Sequence, residues 1–108
     1  MRPSTHLGTL LLGLFLAPFA LGTLHAQSAP APPSAQFSEA ARAYSETDYT
    51  TAIQLLQDLV SQGYATFPVY YNLGNAYYKN GDLGGSMLYY EKALLLDPGN
   101  EDVLHNIR

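Results

Sequence analysis

No cysteine and no tryptophan occur among the 108 residues, and only five side chains are basic against nine acidic, a net charge of −4. The missing cysteine excludes disulfides, thiolate metal sites and thiol nucleophiles. The shortage of positive charge argues against a general nucleic-acid grip, which needs a basic patch to displace counterions along a phosphate backbone. Histidine is scarce as well, and His6, His25 and His105 are too scattered to make a ligand cluster or an acid–base pair. The length allows one small domain. What the chain holds in quantity is unevenly placed: the first third is apolar or rich in alanine and proline, while all nine tyrosines fall between Tyr44 and Tyr90.

Arg2 precedes a charge-free run over residues 7–24, LGTLLLGLFLAPFALGTL, which leads to His25-Ala26. A basic start, an apolar stretch broken by Pro18 and Gly22, and a small residue at the processing position are the layout of a secretory signal peptide, predicted over residues 1–26 with cleavage after Ala26. The alternative is an uncleaved membrane anchor, because the run reaches the lower end of bilayer-spanning length. In both readings the remainder is exported, and it carries four basic against nine acidic side chains, a net charge of −5. Residues 27–34, QSAPAPPS, have three prolines and no large apolar side chain, and read as an extended linker.

From residue 35 a helical period sets in. Phe37, Ala40, Ala41 and Tyr44 share one face, and Ile53, Leu56, Leu59 and Val60 share another. Glu46-Thr47-Asp48 between them is a turn, with Asp48 an N-cap, and the hairpin ends near Gly63. The sequence then starts again. A shift of 34 residues lays Tyr44 on Tyr78, Asp48 on Asp82, Ala52 on Ser86, Ile53 on Met87, Leu56 on Tyr90 and Val60 on Leu94. Such a shift superimposes turn aspartates together with apolar positions, which composition alone does not produce. In the second copy, Pro68 suits a first helical turn, Asn80-Gly81 stops the helix, Asp82 caps the next, and residues 97–100, DPGN, end it. Gly84 and Gly85 predict fraying at the start of that helix, because each costs about 1 kcal/mol of helix propensity. Asn100 caps a third start, with Glu101 and Asp102 near its positive end. The predicted organisation is all-α: antiparallel helix pairs at 35–66 and 67–100, and the start of a third repeat at 101–108.

The second copy, YYNLGNAYYKNGDLGGSMLYYEKALLLDP, resembles the tetratricopeptide repeat, with Tyr70, Leu73, Gly74, Tyr77, Ser86, Tyr90 and Pro98 at the signature spacing and Ala93 at a further small position. The first copy departs from that pattern with Glu39, Ala43 and Tyr64, and keeps Ala52 in register with Ser86. These residues are the expected repeat-packing set, small ones where helices cross and large ones in the gaps. A signal segment, a degenerate repeat, then YYNLGNAYYK and LDPGNEDVLHNIR is similar to the BatE proteins of bacterial aerotolerance operons, whose members are longer. That resemblance implies a periplasmic or periplasm-facing scaffold, working beside membrane partners in stress or oxygen tolerance.

No catalytic constellation accompanies the repeats. The pairs Glu46/Asp48 and Glu101/Asp102 lie where helix caps and favourable N-terminal charge are expected, and the glycines of residues 81–85 lack the lysine and preceding strand of a phosphate loop. Neither a cofactor, a metal, a small-molecule substrate nor a nucleic acid is expected. The resemblance implies a concave groove lined by the first helix of each pair, which carries over to Tyr44, Tyr71, Asn75, Tyr78, Lys79 and His105 as residues for a protein or peptide partner. Packing between helices is an equal reading for Tyr44 and Tyr78, which recur one repeat apart. Asn72, Asn75, Lys79 and Asn106 fall short of the lysine, asparagine and arginine set with which some family members hold a C-terminal carboxylate. Two alternatives stand beside the scaffold: a targeting arm of an enzyme whose catalytic domain lies beyond Arg108, and a structural spacer. Two repeats are fewer than a stack usually needs, which predicts marginal stability or self-association.

Overall fold

The computed structural model describes residues 3–4 and 29–108, and the predicted signal segment and processing site lie outside these apart from two positions. Five helices follow in order: α1 (Pro33–Ser45), α2 (Tyr49–Ser61), α3 (Phe67–Lys79), α4 (Leu83–Leu96) and α5 (Glu101–Ile107). Each packs on its sequence neighbour, so α1–α2 and α3–α4 are antiparallel pairs, and α5 packs on α4. No helix of the described residues is long and apolar enough to cross a membrane.

The boundaries follow from the punctuation residues. Asp48 accepts a hydrogen bond from the Thr51 amide at 3.2 Å, Asp82 from Gly85 at 2.8 Å and Asn100 from Val103 at 3.1 Å, each satisfying an N–H that a helix start leaves free. Gly63 and Gly81 take φ of 94° and 82° just after α2 and α3, a left-handed step that releases the chain from the helix. Three expectations need correction. The linker stops earlier than residue 34, because Pro33 occupies the first position of α1, where a missing N–H costs nothing. In α1 the buried alanines are Ala40 and Ala43, while Ala41 is exposed. Helix α4 is continuous from Leu83 despite its two glycines, since Asp82 caps it and Gly85 fits against Tyr77 of α3.

The core is a string of small clusters along the stack. Ala40, Leu56, Leu59, Val69 and Leu73 join α1, α2 and α3; Ala43, Ala52 and Ala76 let the same helices cross closely; Tyr90, Ala93 and Val103 join α4 to α5. Between the two pairs, Gln57 of α2 donates to the hydroxyls of Tyr77 at 3.1 Å and Tyr89 at 2.6 Å, and those two rings lie parallel with centroids 5.4 Å apart.

Candidate functional site

The helix spacing that buries one stripe of α3 turns the opposite stripe outward. Leu73 and Ala76 are fully buried and Gly74 is enclosed, whereas Tyr78 keeps 55% of its surface and Lys79 is exposed beside it. At the last turns of α1, α3 and α5 these outward residues converge. Tyr44, Asn75, Tyr78, Lys79, His105 and Asn106 line one open recess of about 330 Å³. It is thus built by the first helix of each pair together with α5. None of its six lining residues is a carboxylate, although the chain as a whole is acidic.

Five of the six groove residues expected from the sequence meet there, and Tyr71 does not line it. Its ring stacks on Phe67 with centroids 5.8 Å apart and lies against Tyr90 at 6.2 Å, so it serves the α3–α4–α5 core. Asn106 of α5 takes part instead, a residue the sequence offers only within the incomplete carboxylate-holding set. Asn75 has a second commitment: its Oδ1 accepts from the Tyr90 hydroxyl and, at 3.4 Å, from Asn106 Nδ2. Burial pushes the Tyr90 phenol up from its ordinary range, and the phenol is the donor in that bond. With its carbonyl held inward, Asn75 has its amide N–H groups as the atoms left for a ligand. Burial also raises the Tyr44 phenol, helped by the neighbouring Tyr49 and Tyr71 phenols, and its ring meets Tyr49 edge-on at 5.4 Å.

The packing residues take the following places. Ala52, Leu73, Ser86, Tyr90 and Ala93 are buried, and Tyr70 and Tyr77 are half-buried among the cluster residues. A side chain at Gly74 would enter the Tyr90 ring, so the approach of α4 to α3 requires glycine there. Pro98, expected among the packing residues, is exposed in the turn after α4, where its ring fixes the backbone and makes little core.

The recess can hold an extended chain by hydrogen bonds from amide and phenol groups, by flat contact with Tyr78, and by attraction between Lys79 and a negative group. It has no nucleophile paired with a base. Comparison with known proteins gives two findings. Residues 67–100 match the tetratricopeptide repeat family model. The chain is 37% identical over 78 residues to heat shock protein STI1 of Saccharomyces cerevisiae, an alignment covering 66% of this chain and 13% of the length of that protein. Over α3 and α4 the chain is thus similar to one tetratricopeptide repeat, and the alignment with the yeast protein is a second, independent likeness.

Proposed function

We propose that the protein is a non-catalytic interaction scaffold whose recess at the ends of α1, α3 and α5 binds an extended segment of a partner protein. The observation that carries this reading is the convergence of Tyr44, Asn75, Tyr78, Lys79, His105 and Asn106 from three different helices onto one open, carboxylate-free surface. The family supports the coarse function, since helical-repeat stacks offer extended concave surfaces for protein partners. The finer reading is a scaffold exported to the bacterial envelope, assembling with membrane proteins in a stress or aerotolerance role. It rests on the charge-free run at residues 7–24 before Ala26 and on the likeness of the repeat region to BatE proteins.

The test is a pulldown with the full chain from detergent-solubilised envelope, comparing wild type with the double variant Tyr78→Ser, Lys79→Glu. Both side chains are exposed, so circular dichroism is expected to show unchanged helicity. Membrane proteins captured by the wild type and lost from the variant support the groove. Equal capture by both, or none by either, rejects it in favour of a spacer. Export is read separately: N-terminal sequencing of the chain recovered from the periplasm is expected to begin at Gln27.

A further inference from the structure

The outer side of α4 is apolar where the repeat does not call for it. Counting 3.6 residues per turn, Leu88 and Leu95 lie on one line of α4, diametrically opposite the buried line of Ser86, Tyr90 and Ala93. They are 48% and 81% exposed. The corresponding positions of α2, one repeat earlier, are Gln54 and Ser61, both exposed, so the helix pair itself is satisfied by polar residues there. α4 thus carries an apolar line on its outer side as well as on its inner one, and the described residues cover only the inner line.

The charges around these leucines are arranged in a particular way. Glu91 and Lys92 lie midway between Leu88 and Leu95, one on each flank of the leucine line. Glu91 has no cation within ion-pair distance among the described residues. The Lys92 ammonium is held over the Tyr70 and Tyr89 rings, 5.6 and 5.8 Å from their centroids, so its charge is fixed on its flank.

We propose that this face is a homodimer interface, in which two copies lay their α4 helices side by side and parallel about a two-fold axis running along them. Under that symmetry Leu88 meets Leu88 and Leu95 meets Leu95. Opposite flanks also come together, so Glu91 of each copy faces Lys92 of the second copy. The antiparallel arrangement brings like flanks together, Glu91 on Glu91 and Lys92 on Lys92, and is disfavoured by charge. The occupant is therefore a second copy of this chain, selected by self-complementary charge around the leucine pair. The surface is remote from the recess and independent of what the recess binds.

The absence of cysteine makes the test clean. In the full chain, kept in a nonionic detergent so that residues 7–24 behave alike in all variants, Leu95→Cys is expected to form a disulfide-linked dimer under mild oxidation faster than a Gln54→Cys control on α2. Adding Glu91→Lys to Leu95→Cys turns two attractive pairs into repulsive ones and is expected to weaken pairing roughly five- to thirty-fold. Adding Lys92→Glu as well restores the opposite-charge arrangement and is expected to recover the cross-link. Circular dichroism on each variant reads the fold separately. Cross-linking no faster than the control, indifference to Glu91→Lys, or a cross-link that needs a mixture of Leu88→Cys with Leu95→Cys chains would each overturn the parallel homodimer.

Discussion

Gly74, Gly84 and Gly85 belong to one repeat and share one chemistry, yet their surroundings differ. A methyl group at Gly74 would enter the Tyr90 ring, and one at Gly85 would come within 2.7 Å of Tyr77 Cδ1; at Gly84 the nearest atom is Asp82 Oδ1 at 3.6 Å. Gly74→Ala and Gly85→Ala are therefore expected to destabilise by about 1–3 kcal/mol, the usual range for overpacking. Gly84→Ala is expected to stabilise by up to about 1 kcal/mol through helix propensity. Urea titrations of the three variants check both signs, and a stabilised Gly85→Ala would show that Tyr77 yields to the added methyl. The sequence offered Gly74 through its signature spacing. It could not separate Gly84 from Gly85, because only the path of α3 decides which glycine faces the Tyr77 ring. The same limit explains Tyr71 and Asn75: both lie on the groove-forming helix, but the Phe67 ring claims one and the Tyr90 hydroxyl claims the carbonyl of the other.

Helix boundaries were the most legible feature, because capping is local chemistry written within four residues. Asp82→Ala removes the acceptor for the Gly85 amide and is expected to cost about 1 kcal/mol, measured by chemical denaturation. Asp48 adds a pH dependence. Hydrogen bonding to the Thr51 side chain, and then to its amide, holds the Asp48 carboxyl below the usual aspartate range. A group with a depressed folded-state pKa contributes its stability in full above the unfolded value of about 3.9 and loses it as pH falls through the folded value. The Tm drop between pH 7 and pH 2 is thus expected to be smaller for Asp48→Asn, which caps without titrating, than for wild type. An equal drop in both would assign acid sensitivity to other carboxylates. Faces of helices were less legible than their ends. Alanine carries too little apolar surface to mark a phase, so Ala41 and Ala43 exchanged roles, and α4, with leucines on its inner and outer sides alike, left little contrast from which its outward line could be read.

Across the whole stack, stability passes from helix to helix through shared clusters. Leu73 is fully buried and touches the cluster that joins α1, α2 and α3, so Leu73→Ala is expected to cost about 2–5 kcal/mol and to lower the melting of both pairs together. Val103 anchors only α5 on Tyr90 and Ala93, and Val103→Ala is expected to release α5 first. Amide hydrogen exchange distinguishes the two: protection lost throughout α1–α4 in the first variant, confined to α5 in the second. The Gln57 side chain has a different bearing on the assembly. Apolar surfaces are tolerant of sliding, whereas two directional bonds from one amide nitrogen to the Tyr77 and Tyr89 hydroxyls fix how far one helix pair is turned relative to the next. The recess spans α1, α3 and α5, and its width follows from that turn. A single glutamine between the two helix pairs thus acts as a brace, setting how widely the recess stands open.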